Sequence, residues 1–177
     1  MEHSDFIVLF EKILPEGLDR RFEVRDAVSD GLELAMPLAS PLEVELNLAL
    51  HAGRVLVRGW VAGSVALECS RCLKGFTLPL DSKVETYLEI AADGATEADH
   101  ELFREEMDTR LIEKGRIDLR DIIAEQIHLA VPVKTLCLEE CRGLCSHCGV
   151  DLNSGDCSCG EDQTDSRWDA LKELKER

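Results

Sequence analysis

Six cysteines crowd into the 23 residues from Cys137 to Cys159, spaced Cys137-x3-Cys141-x3-Cys145-x2-Cys148-x8-Cys157-x-Cys159 and interleaved with Gly143, Gly149 and Gly155. A buried free cysteine occurs singly as a small hydrophobe, and packing gives it no reason to recur at such intervals. Cys145-Ser-His-Cys148-Gly149 reads as a knuckle, two thiols on a tight turn whose backbone N–H groups can point at the sulfurs. A second Cys-x-x-Cys, Cys69-Ser-Arg-Cys72, lies far upstream. Zinc gathers sulfurs in this way, with four ligands in a tetrahedron.

Disulfides are the competing use of clustered cysteine, and compartment decides between them. The N-terminus, Met1-Glu-His-Ser-Asp-Phe-Ile-Val-Leu-Phe10, carries acid where a signal peptide needs base. No apolar run approaches the roughly 18 residues a membrane helix needs. The expected location is therefore the cytoplasm, away from membranes, where thiols persist and metal is favoured. All eight cysteines are candidate ligands: Cys69, Cys72, Cys137, Cys141, Cys145, Cys148, Cys157 and Cys159. They allow one zinc site or two. Cys157 and Cys159 can fold back on Cys145 and Cys148, leaving Cys137 and Cys141 to meet Cys69 and Cys72. A single site among the six distal cysteines, with Cys69 and Cys72 as ordinary thiols, remains open.

Thiolate-only ligation argues for a closed, structural site, because catalytic zinc keeps a position for water. His147 can in principle replace a thiolate, but a residue between knuckle cysteines points outward; His51 and His128 read as turn and helix residues. The sequence holds no Ser-His-Asp, Walker or Rossmann pattern. We expect no catalytic or cofactor-binding residues, no small-molecule substrate and no enzyme. A thioredoxin-like dithiol needs its first cysteine at a helix start, whereas Cys69 ends an alternating strand; thiol oxidoreductase stands as an alternative.

The rest of the chain reads as α+β: an antiparallel β-rich body, meander or curled sheet, with one packed helix and a C-terminal cysteine-rich zinc segment. Leu42-Glu-Val-Glu-Leu-Asn-Leu-Ala-Leu50 alternates strictly, the period of a strand with one buried face. His51-Ala-Gly-Arg54 is a turn, Val55 to Val61 the return strand, and Ala62-Gly63 another turn before a strand ending at Cys69. Phe76–Leu80 and Val84–Ile90 alternate again, Pro79 marking an edge or an end. Asp118 caps a helix over 118–130 whose Leu119, Ile122, Ile123, Ile127 and Ala130 share a face, and Pro132 ends it. The expected division is a body over 1–136, with an acidic loop at 91–108 and this helix, and a zinc-binding segment with tail over 137–177. Asp165 to Arg177 can be helical through Trp168, Leu171 and Leu174. No internal repeat is evident.

The formal net charge of −16 gives no overall basic footprint for nucleic acid; it suits a basic protein partner, or simply solubility. Arg54, Arg58, Arg71, Lys74 and Lys83 form either a local basic patch or scattered surface charge, the latter being favoured. Trp60 and Trp168 read as packing residues rather than base-stacking platforms.

Taken in order, Leu67-Glu-Cys69-Ser-Arg-Cys72-Leu73, Leu129-Ala-Val-Pro132, Cys137-x3-Cys141-Arg-Gly-Leu-Cys145-x2-Cys148-Gly149-x2-Leu152-Asn153, Cys157-Ser-Cys159 and Arg167-Trp-x-x-Leu171 resemble a bacterial and plastid domain-of-unknown-function family, typified by the large ribosomal RNA subunit accumulation protein. The resemblance implies a role in large-subunit rRNA accumulation or processing and ribosome assembly, with no established catalytic residues. The partner it implies is the precursor large ribosomal subunit, met through rRNA or a basic ribosomal protein. A zinc-stabilised adaptor or regulator unrelated to ribosomes is the alternative.

Overall fold

A computed structural model describes residues 6–90, 109–112 and 115–159. The acidic loop at 91–108 and the tail helix expected over 165–177 lie outside the described residues.

Three long strands make the body: β3 (Leu38–His51), β4 (Arg54–Glu68) and β5 (Gly75–Ile90). They follow β1 (Ile7–Leu9), β2 (Leu18–Val24) and a single helical turn, α1 (Ala27–Asp30). After β5 come β6 (Thr109–Ile112), β7 (Arg116–Asp118) and the helix α2 (Leu119–Ala130). The main sheet has the order β2-β3-β4-β5-β6, a meander through β5. Its pairs are antiparallel except β5–β6, which is parallel. β1 and β7 form a separate antiparallel ribbon. The class is α+β, as the alternation predicts.

The period-two pattern sorts the side chains. Leu42, Val44, Leu46 and Leu48 of β3 are buried with Val55, Val57, Val61 and Val65 of β4. The helix α2 packs against β5 and β4, and its apolar residues join theirs in one buried cluster. Asp118 caps α2, its carboxylate accepting the Arg120 N–H at 3.1 Å, and Leu119, Ile122, Ile123, Ala124 and Ile127 are its buried residues. Ala130, placed by periodicity on this face, is exposed at the last residue of the helix. Leu50 likewise rises out of the core to 39 % exposure beside the β3–β4 turn. That turn is the expected one, with Ala52 and Gly53 both at positive φ, the signature of a two-residue hairpin.

One expected turn is not a turn. Ala62-Gly63 lies inside β4, which runs unbroken to Glu68. Here β3 is bulged: Ser40 pairs with Ser64 and Glu43 with Ala62, so Pro41 and Leu42 face Gly63 alone. A Cβ on Gly63 would sit 2.8 Å from the Pro41 carbonyl oxygen. Glycine marks a close backbone approach at a bulge rather than a reversal. Pro79, by contrast, behaves as expected: β6 pairs with β5 only over Tyr87–Ile90, so among the described residues Pro79 lies on an edge. Trp60 sits half-buried on the outer face between Glu45 and Lys83 in register; its packing is there, not in the core.

Candidate metal centre

The β4–β5 connection is a knuckle. The Cys69 N–H donates to the Lys74 carbonyl and the Leu73 N–H to the Cys69 carbonyl, both at 2.9 Å. Cys145 to Val150 repeats it: the Cys145 N–H donates to the Val150 carbonyl and the Gly149 N–H to the Cys145 carbonyl, again both at 2.9 Å. Each turn needs a left-handed residue after its second cysteine, supplied by Gly149 (φ 72°) and Leu73 (φ 59°). The sequence hid this repeat because leucine stands where glycine was the signal.

Residues after α2 close on the first knuckle. The Ser70 N–H donates to the Thr135 carbonyl at 2.8 Å, and the Thr135 hydroxyl donates to the Glu68 carbonyl at 2.8 Å. The Arg71 guanidinium donates to the Cys141 carbonyl at 2.6 Å. Gly143, at φ 77°, lies so close that a Cβ would fall 3.0 Å from the Arg71 carbonyl oxygen. These contacts bring Cys69, Cys72, Cys137 and Cys141 together; Cys145, Cys148, Cys157 and Cys159 form the second group. In each group the four sulfurs lie within 4.8 Å of one another. Within the groups, the sulfurs of Cys69 and Cys141 are 3.8 Å apart, those of Cys72 and Cys137 3.6 Å, and those of Cys157 and Cys145 3.4 Å. None of the eight is in a disulfide. A tetrahedron with metal–sulfur bonds of about 2.3 Å has edges of about 3.8 Å, so either group can hold a metal ion. The two groups are those in which the outermost pair folds back on the second knuckle, and His147 belongs to neither.

The surroundings differ. The first cage is a buried cluster of Cys69, Cys72 and Cys141, with Phe76, Leu136, Cys137 and Leu144 packed against it. In the second, Cys148 is exposed. The electrostatics are alike. Burial pushes Cys69 up, but the backbone N–H groups of Cys137, Cys72 and Arg71 outweigh it and bring the thiol down to about 6. Cys145 also falls to about 6, through the N–H groups of Cys148 and His147. Cys137 is pushed up to about 12 by burial and its sulfur contacts, and Cys159 to about 12 by Cys148 and burial. One thiol per cage ionises readily and then opposes its neighbours' ionisation; a divalent cation removes that opposition.

The cages adjoin. Leu144 and Asp151 form a β-bridge, Lys74 is ion-paired with Asp151, and Asn153 Nδ2 donates to the Cys141 sulfur at 3.4 Å. These long-range links escaped sequence reasoning, as did the Ala35 N–H donating to His128 Nε2 at 3.3 Å. The suggested basic patch does not gather as free charge: Arg54 pairs with Glu89, Arg58 with Glu85 and Lys74 with Asp151.

The class thus defined is an α+β sheet protein whose longest hairpin ends in a pair of four-thiol cages. The sequence profile of the large ribosomal RNA subunit accumulation protein YceD matches residues 57–175, and the chain belongs to that family. The matched span contains all eight cysteines. An uncharacterized protein of Mycobacterium tuberculosis is 34% identical over 161 residues, covering 86% of this chain and 73% of its own. One from Mycobacterium leprae is 29% identical over 126 residues, or 69% of this chain and 54% of its own. The Arabidopsis thaliana protein named large ribosomal RNA subunit accumulation protein YCED homolog 1, chloroplastic, is 32% identical over 65 residues, 37% of this chain and 20% of its own. No solved structure matches the chain. Among the described residues no helix is long and apolar enough to cross a membrane.

Proposed function

We propose that this chain is a non-enzymatic cytoplasmic factor that supports accumulation or processing of large-subunit ribosomal RNA during ribosome assembly, with structural zinc in both cages. The observation that carries the ribosomal reading is the family match over residues 57–175, joined by the name of the plant relative. For zinc, the support is the donor set: four sulfurs per cage at near-tetrahedral spacing, the chemistry of a closed site with no place for water. The residues that would hold it are Cys69, Cys72, Cys137 and Cys141, and Cys145, Cys148, Cys157 and Cys159. When bound, zinc supplies charge neutralisation for the thiolates and a rigid crosslink. The chain's own part is to converge the sulfurs and aim backbone N–H groups at them. Four thiols facing inward on one another are a poor design for a dithiol that must meet a substrate, which favours a structural role over oxidoreductase chemistry.

Sedimentation of cell extracts tests the function. The protein should travel with precursor large-subunit particles, and its depletion should lower the large-to-small subunit ratio. Neither effect would leave the adaptor alternative. Elemental analysis of purified protein tests the metal, with two zinc ions per chain expected.

A further inference from the structure

We propose that the two cages fill in order and cooperatively, the buried one first, and that Asn153 carries the coupling between them. The inference rests on the reading of both clusters as metal cages.

Asn153 belongs to the distal loop, between Cys148 and Cys157, yet its side chain serves the other cage. Its Nδ2 donates to the Cys141 sulfur at 3.4 Å and to Asp151 Oδ1 at 2.7 Å, while its Oδ1 accepts the Arg142 N–H at 2.8 Å. Asp151 is ion-paired to Lys74 on the first knuckle, and the Leu152 N–H donates to the Gly143 carbonyl at 2.9 Å. The distal loop is therefore seated on atoms that the proximal cage positions. An N–H donates much more strongly to a charged sulfur than to a neutral thiol, and a metal-bound cysteine is a thiolate. Filling the proximal cage strengthens the bond that seats the distal loop, and with the loop seated four sulfurs already converge. The second ion then meets a partly ordered site and loses less chain entropy on binding.

Burial sets the order. Cys69 is 0% exposed, Cys72 4% and Cys141 2%, and two of the four ligands sit at the β4–β5 tip, which the sheet already fixes. The distal cage draws all its ligands from one loop, with Cys148 open to solvent. Coupling is reciprocal, so a filled distal cage tightens the proximal one by the same factor.

Co2+ is the probe, added stepwise to metal-free full-length protein and followed by native mass spectrometry and by sulfur-to-cobalt charge-transfer absorption. The wild-type chain should show less of the one-ion species than two independent cages with the affinities of the single-cage variants Cys69→Ser, Cys72→Ser and Cys148→Ser, Cys159→Ser would give. Asn153→Asp keeps the oxygen that accepts the Arg142 N–H but removes the donor to the Cys141 sulfur and to Asp151. It should let the one-ion species accumulate, weaken the second ion about ten-fold, and shift the first ion's charge-transfer band. Lys74→Gln should weaken the second ion without moving that band. The double variant Cys69→Ser, Cys72→Ser should bind its remaining ion more weakly than Cys148→Ser, Cys159→Ser binds its own. A one-ion population equal to that of two independent cages, or identical titrations for wild type and Asn153→Asp, would overturn the coupling while leaving both cages intact. No bound cobalt at all would remove the metal reading with it.

Discussion

Replacing Cys69 and Cys72 together by serine should melt one segment and spare the rest. The proximal cage is a cluster separate from the main core, and its fully buried members are three sulfur side chains. Phe76, Leu136 and Leu144 are only partly buried against it, which returns about 1 kcal/mol apiece. Ordering a backbone costs about 1 kcal/mol per residue, so apolar contact cannot hold residues 134–144 without the proximal metal bonds. By contrast α2 keeps Leu119, Ile123 and Ile127 in the main core. Hydrogen exchange read by mass spectrometry measures both regions at once. Amides of 134–144 should lose about 1,000-fold or more of their protection, equivalent to about 4 kcal/mol, while β3, β4 and α2 stay within a few-fold of wild type. Retained protection in 134–144, or an equal loss across the sheet, would show that the cage is not what secures the segment.

Other perturbations have definite signs. Asp118→Ala removes the cap and the Arg120 ion pair of α2; it should cost about 1 kcal/mol and lower the thermal midpoint by about 2–4 °C. Gly149→Ala meets no atom within 4 Å of its new Cβ, so its whole cost is torsional, about 1 kcal/mol. Leu73→Gly should relieve strain of the same kind, and competition with a chelator should show the two variants moving zinc affinity in opposite directions. Metal binding displaces the thiol protons, so zinc affinity measured by chelator competition should fall as pH is lowered; an affinity that does not change between about pH 8 and about pH 6 would contradict thiolate ligation.

Periodicity was legible wherever one rule governed a segment. Leu42 to Leu48 shows it, where alternation maps directly onto burial, and so does Asp118 with Leu119 to Ile127, where cap and stripe agree. It was ambiguous where one residue serves two purposes. Gly63 read as a reversal because glycine permits both reversals and close approaches, and only the bulge in the neighbouring strand separates them. The sulfur groups were suggested by spacing, but the polar contacts that surround them were not. Asn153 and Cys141, like Lys74 and Asp151, meet through the tertiary fold, and no local pattern records such a meeting. The kinship of the two knuckles was masked by Leu73, whose strained backbone a one-dimensional reading assigns to no special role.

The ladder between β4 and β5 runs from Val55↔Leu88 to Glu68↔Gly75 without a shift, and the first knuckle is its last step. A hairpin misaligned by a single residue would turn Cys69 and Cys72 toward the opposite face, where Cys137 and Cys141 could not reach them. An ion bound between these four sulfurs would lock only the correctly threaded hairpin, so its capture would check strand alignment.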